Sequence, residues 1–284
     1  MSAPTSPPRI LRWSGLSDRG HVRKNNEDAF LGLRFDGREI QHLGTLGETT
    51  LDAADCVFAV SDGMGGELAG EFASRISVEK ITHLLPRSFR QSARGMQMGF
   101  ADVLEELFDQ IHRALTFLGQ SYDECSGMGA TLSLCWFTPE WLYWAHVGDS
   151  RIYYLPAGES GLRQLSKDDS HVGWLLRTGQ INEYEARRHP RKNAIGKALG
   201  AGNQFVNPQV GSVAYEPGDR FLLCTDGLIE GLFDRQLAEF LRTPEPALAG
   251  LPPARRLVQE ALARAGKDNT TALVVEVAES ESGE

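Results

Sequence analysis

The chain has 284 residues, 41% of them hydrophobic and 24% charged, with a formal net charge of -9. That length allows two ordinary domains or one large mixed one, and the composition excludes a chain that is disordered throughout. The acidic balance argues against a nucleic-acid binder, whose footprint is a basic stripe.

Residues 1–8, MSAPTSPP, have little to bury, so a flexible tail over 1–10 is expected. MSAPTSPPRI lacks the basic and apolar regions of an export signal, and no apolar stretch approaches 18 residues. Neither export nor a membrane span is expected, and the location expected is the cytoplasm. SDRGHVRKNNEDAF, residues 17–30, crowds mixed charges into a short stretch and by itself reads as a solvated loop. The segment from Asp36 to Asp55 reads at most as a hairpin extension.

Strand signals, runs of β-branched and aromatic residues, begin with CVFAV at 56. They continue with ATLSLCWF at 130, WLYWAHV at 141, RIYYL at 151, RFLLC at 220 and TALVVEV at 271. Phe137-Thr-Pro-Glu-Trp141 reads as a turn joining two antiparallel strands. Between the first two runs lie two helix signals at 3.6-residue spacing. One is Phe72, Ile76, Lys80-Ile81 and Leu84; the other runs from Phe100 through Val103-Leu104, Leu107, Ile111 and Leu115 to Leu118 and ends near Gly119. RTPEPALAGLPPARR, at 242–256, reads as a loop, and the last residues, 279–284, as a second flexible tail. One-sided helices need a surface to cover and the strands supply it. The expected class is α+β, with a single domain over 11–278.

Cys56, Cys125, Cys135 and Cys224 are too scattered for a zinc knuckle and lie in or near apolar stretches, where reduced cysteine behaves as a small hydrophobe. A reducing compartment suits them.

VFAVSDGMGG at 57 and FLLCTDGLIEG at 221 share a form: an apolar strand, Ser or Thr, then Asp-Gly. WAHVGDSR at 144 sets an Asp after a strand, and RAGKDNTTALVV at 264 sets one before a strand. Taken singly, each reads as a turn, with Asp capping and Gly supplying a positive φ. Taken together, Asp62, Asp226, Asp268 and Asp149 read as carboxylates converging on hard cations, which prefer oxygen ligands. Gly63 would then let a backbone carbonyl reach an ion. GMGG lacks the Lys-Ser or Lys-Thr of a nucleotide-binding loop.

Seven stretches resemble the metal-dependent type 2C serine/threonine protein phosphatases in their bacterial form. They are SDRGHVRKNNEDAF, VFAVSDGMGGELAGEFAS, SGMGATL at 126, HVGDSRIYYL at 146, ARRHPRKNAIGKALG at 186, FLLCTDGL at 221 and KDNTTALVV at 267, in the family's order. The resemblance implies a central β-sandwich of two mostly antiparallel sheets with helices on both outer faces, four layers in all, and a flap over about 166–200.

It also implies two Mn2+ or Mg2+ ions, with Asp62 bridging them, the Gly63 carbonyl on one, and Asp226 and Asp268 on the other. Glu27 and Asp28 match acids that act largely through metal-bound water, and Asp149 with Asp226 matches a third ion site of some relatives. A water shared by two ions becomes the hydroxide that attacks phosphorus in line. Arg23 matches the phosphate-binding arginine, whose planar fork can hold two phosphate oxygens. The activity implied is hydrolysis of phosphoserine and phosphothreonine in proteins by a monomer that opposes a Ser/Thr kinase, with no nucleic-acid or membrane partner.

Two departures from the pattern stand out. Met64 occupies the place of a histidine that eukaryotic members use as general acid, and the flap reads Asp169-Ser170-His171 where many relatives read an acid followed by His-Ser. His146 and His189 read as structural, and His171 as a loop histidine more often bystander than participant. Two other functions fit the same stretches. One is a non-catalytic phosphoprotein-binding module, which should have lost a central ligand, although Asp62, Asp226 and Asp268 all remain. The other is a regulatory phosphatase acting on an anti-sigma antagonist, a branch that usually lacks the RxxNED stretch present here.

Overall fold

The apolar runs fold as strands whose alternate residues face different cores, as period-2 geometry requires. The computed structural model describes residues 9–36, 39–51, 54–93, 99–242 and 250–279. In chain order the strands are β1 (Arg9–Asp18), β2 (Asp28–Phe35), β3 (Ile40–His42), β4 (Leu46–Thr50), β5 (Asp55–Met64), β6 (Gly129–Ala130) and β7 (Leu132–Phe137). They continue as β8 (Trp141–Val147), β9 (Arg151–Leu155), β10 (Arg163–Gln164), β11 (Leu199–Gly200), β12 (Gln209–Ala214), β13 (Arg220–Cys224) and β14 (Thr270–Glu279). The helices are α1 (Glu67–Ala93), α2 (Phe100–Ser121), α3 (His171–Arg177), α4 (Glu183–Arg188), α5 (Asp226–Gly231), α6 (Asp234–Arg242) and α7 (Pro253–Arg264).

One sheet has the order β10-β9-β13-β14-β1-β4; the other has β11-β6-β5-β7-β8-β12, with β2 on β5 and β3 on β2. Three apolar clusters make the four-layer sandwich. Phe58, Val60, Phe137, Phe221, Leu273 and Val275 fill the space between the sheets. Val57, Ala59, Leu134 and Trp136 look the other way, onto α1 and α2. Leu222, Cys224, Ala272 and Val274 meet α5, α6 and α7. The expected architecture of helices on both outer faces of a sandwich is the one observed, and all four cysteines are free.

Several expectations are corrected in detail. Of the expected α1 face, Ile81 is buried and Ile76 and Leu84 pack against the core beside Ala69, Ala73 and Leu85, whereas Phe72, placed on that face by its spacing, is 57% exposed. Small side chains let the helix lie close against β5. Residues 36–55 are not one hairpin: β3 pairs with β2, and β4 pairs with β1 in the opposite sheet. The proline-rich stretch at 242–256 is helical at both ends, since α6 ends on Arg242 and α7 starts on Pro253, which suits the first helical turn. Residues 243–249 lie outside the described residues, as do 1–8 and 280–284 of the expected tails. Arg9, Ile10 and Glu279, also assigned to those tails, are strand residues, and Arg9 is the register partner of Glu279. The turn at 138–141 is as expected, closed by Thr138 N–H donating to Trp141 O at 2.9 Å.

Candidate metal centre

One end of the sandwich collects the acids. Asp28 opens β2, Asp62 lies near the end of β5, Asp226 opens α5, Asp268 stands just before β14, and Asp149 sits in the turn from β8 to β9. Asp62 lies inside its strand rather than past it: Asp28 and Asp62 are register partners, and Gly63 is paired with Ala130.

Hydroxyls and one amide, none singled out in the sequence, fix these positions. Asp28 Oδ2 accepts from Thr225 Oγ1 at 2.8 Å and from Thr271 Oγ1 at 2.7 Å, so a carboxylate of one sheet is bonded to Thr271 in the other and to Thr225 just past that sheet's β13. Thr131 Oγ1 accepts from Asp62 N–H at 2.9 Å and lies 2.6 Å from Ser150 Oγ, which ties the GDSR turn to β5. Buried Asn269 holds the 19–27 loop: its Oδ1 accepts from Glu27 N–H at 2.7 Å, and its Nδ2 donates to Arg19 O and Asn25 O. The only sequence signal for these groups is adjacency to an Asp or membership of a motif block.

The glycines after Asp62 and Asp226 have a different cause from the one expected. Neither has a positive φ. A Cβ on Gly63 would come within 1.9 Å of Gly70 O in α1, and one on Gly227 within 2.0 Å of Asn269 O. Both are sites of close backbone approach. Gly70 in turn leaves room for Glu27, whose Cδ would lie 3.0 Å from a Cβ there.

The electrostatics are those of buried acids crowded together, with the Arg151 guanidinium opposing the shift only at Asp149 among the four acids described next. Burial, then the neighbouring Asp28, Asp226, Asp149 and Asp268, hold the Asp62 carboxyl well above the usual range. Asp226 is raised by burial and by Asp149 and Asp268. Burial pushes Asp28 up to about 7 against its two threonine bonds, and burial with Asp168 nearby pushes Asp149 up to about 7. Asp268 is bonded to an arginine. Arg23 grips both of its oxygens, Nε to Oδ1 at 2.8 Å and an Nη to Oδ2 at 2.8 Å.

Among the described residues no three His, Cys, Asp or Glu side chains form a ready-made cation cage. The donor set nevertheless suits hard cations. Asp28 Oδ1, Asp149 Oδ1 and Asp226 Oδ1 are buried acceptors without a hydrogen-bond partner among the described residues. Buried acceptors are seldom left so unless something else binds them.

Beside Asp149 and Asp226 a cavity of ≈ 270 Å³ opens beneath the flap helices α3 and α4, with Arg177, Glu183 and Arg187 on its far wall. The flap is anchored to the GDSR turn. Arg151 makes a buried, forked ion pair with Asp168, and Asp169 accepts from Gly148 N–H at 3.1 Å. No histidine lines the cavity. His171 is exposed at the start of α3, 5.9 Å from the Trp174 ring. His146 is buried between Ser133 Oγ and Gly148 O, and His189 caps α4. Met64 is strand-paired with Gly129.

The family model described as "Protein phosphatase 2C" matches residues 45–265. The chain is 33% identical over 279 residues to serine/threonine protein phosphatase PstP of Mycobacterium tuberculosis, a match that takes in 97% of this chain but 46% of that protein. It thus spans about half of that relative's length. It is 31% identical over 261 residues to serine/threonine phosphatase stp of Listeria monocytogenes, covering 92% of this chain and 93% of that one. Among solved structures, the catalytic domain of PstP in complex with two manganese ions superposes with a TM-score of 0.70 at 31% identity, covering 95% of this chain and 100% of the other. Taken with the acid-lined end of a four-layer sandwich, these matches place the chain in the protein phosphatase 2C family.

Proposed function

We propose that this chain hydrolyses phosphoserine and phosphothreonine in proteins, using two Mn2+ or Mg2+ ions at the acid-lined end of the sandwich. The three partnerless carboxylate oxygens carry the reading, since Asp28, Asp149 and Asp226 each present a buried acceptor to one region. Asp62 would bridge the ions, the Gly63 carbonyl would serve one, and Asp226 and Asp268 the other, with Glu27 and Asp28 acting through water. Asp149 together with Asp226 would hold a third ion. Divalent ions at such a site supply Lewis acidity to the phosphoryl group and activate water for in-line attack.

The chain's own groups do the positioning. Arg23 offers two parallel N–H donors to phosphate oxygens. Asn269 keeps the 19–27 loop, and with it Arg23 and Glu27, over the end of β14. With Met64 two residues after Asp62, where eukaryotic members have a histidine, the leaving serine or threonine oxygen would take its proton from water. The similarity to PstP and stp supports protein substrates, and with them a role opposing a Ser/Thr kinase. A cytoplasmic location is supported by four free cysteines, and among the described residues no helix is long and apolar enough to cross a membrane. The catalytic unit proposed is the single domain 11–278.

The test is hydrolysis of a phosphothreonine peptide with Mn2+, with and without chelator, by wild type and Asp62→Asn. Loss of turnover in chelator and in the variant is expected. Full activity under either condition overturns the metal-dependent reading.

A further inference from the structure

Arg23 and Asp268 have been given separate duties, one toward phosphate and one toward an ion, yet in this structure they are bonded to each other. The pair is forked, with both contacts at 2.8 Å, and Asp268 Oδ1 also accepts from the N–H of Asn269 at 2.9 Å. Both carboxylate oxygens are therefore occupied. Asp28, Asp149 and Asp226 each keep a buried oxygen with no hydrogen-bond partner among the described residues, whereas both oxygens of Asp268 are bonded. The guanidinium is a stand-in cation at this carboxylate.

A planar fork that covers both oxygens of a carboxylate blocks its approach to a divalent ion, and it cannot face a phosphate in the same geometry. We propose that Arg23 and the ion at Asp268 are alternative partners for that carboxylate, so that loading the ion releases the guanidinium to the phosphate. The inference rests on the phosphatase reading and adds an order to it: cation first, phosphate second. Arg23 suits the exchange because its side chain is 47% exposed and can swing without opening the core, whereas Asp268, at 19%, is held by the start of β14. By linkage, the tighter the arginine holds Asp268, the weaker the ion, and a bound ion must strengthen the phosphate site.

The experiment is calorimetric titration of Mn2+ into metal-free wild type, Arg23→Ala and Arg23→Lys, repeated with inorganic phosphate as the probe. Both variants should bind the more weakly held Mn2+ more tightly than wild type, by roughly 1.5-fold to fivefold, the worth of a partly exposed charged pair. Wild type should take up phosphate measurably only after Mn2+ is added. Lysine separates exchange from simple repulsion: it keeps the charge but not the fork, so wild-type Mn2+ affinity in Arg23→Lys would overturn the proposal. So would phosphate binding to wild type that is equally tight with and without Mn2+. Phosphopeptide turnover by the same wild-type preparation reports separately on the phosphatase reading. Turnover with unchanged Mn2+ affinities removes the exchange and leaves the enzyme; tighter Mn2+ in both variants without turnover removes the enzyme and leaves the exchange.

Discussion

Asp28 and Asp62 stand directly opposite each other across the antiparallel pair of β2 and β5. Like charges at cross-strand positions repel, and here both lie among further acids, Asp226, Asp149 and Asp268. Such an arrangement is retained at a cost in stability, as functional sites often are.

Removing one charge should therefore stabilise the metal-free protein while disabling the metal-loaded one. In chelator at pH 8, Asp62→Asn is expected to raise the melting temperature by about 2–4 °C, the shift that ~1 kcal/mol gives in a chain of this size class. With excess Mn2+ the order should reverse, because only wild type gains the full binding energy of the ions. Paired thermal melts decide it, and a variant less stable than wild type in chelator would contradict the account of Asp62.

Asn269 is expected to matter more than its place beside Asp268 suggests. Asn269→Ala leaves a donor and two acceptors of the 19–27 loop without their partner. The cost should be about 1–3 kcal/mol by urea denaturation. KM for a phosphopeptide should rise more than kcat falls, because the loop carries Arg23.

The two Asp-Gly glycines give a contrast between packing and torsion. Gly63→Ala and Gly227→Ala drive a Cβ into backbone oxygens at 1.9 and 2.0 Å and should each cost upwards of about 2 kcal/mol. Gly158, which has nothing within 4 Å and an ordinary φ, is the control, and its change to Ala should stay within about 0.5 kcal/mol. Equal effects at all three positions, measured by denaturant unfolding, would refute the close-approach explanation.

Acid sensitivity has an identifiable contributor in His112. Its Nδ1 accepts from Gly200 N–H at 3.0 Å, a bond that needs the neutral ring, and burial lowers its pKa. A base whose folded pKa is depressed contributes stability that is complete above its unfolded value, about 6.5, and is lost as pH falls below it. His112→Asn keeps an acceptor at the Nδ1 position without titrating. The stability gap between wild type and variant should therefore shift toward the variant between pH 6.5 and 5 and stay constant above pH 7.5, as read by urea midpoints across pH.

The central strands and α2 were legible in the sequence because their residues are large, apolar and periodic. Strand β1 was not, although Leu11 and Trp13 alternate inward, because Arg12 and Ser14 break up the run. In α1 only Phe72 misled: Ile76, Ile81 and Leu84 pack as their spacing predicts, but small Ala69 and Ala73 fill the contact that the conspicuous Phe72 leaves for water. The acids of the site were visible as carboxylates at strand ends, where propensity disfavours them. Thr225, Thr271, Thr131 and Asn269 were not, because their partners lie 69 to 250 residues away and a hydroxyl or amide has no periodic signature. The glycines were found but misread, since a sequence shows that a side chain is missing and not which neighbour excludes it.

Asp28 belongs to one sheet, while Thr271, which holds it, belongs to the other, and Thr225, its second partner, follows directly on that sheet's β13. The mouth of the sandwich is thus latched by a carboxylate whose other oxygen, Oδ1, is a buried acceptor without a hydrogen-bond partner among the described residues. On the proposed reading, parting the two sheets at that end would also disturb Asp28, so the proposed metal end of the molecule would double as its hasp.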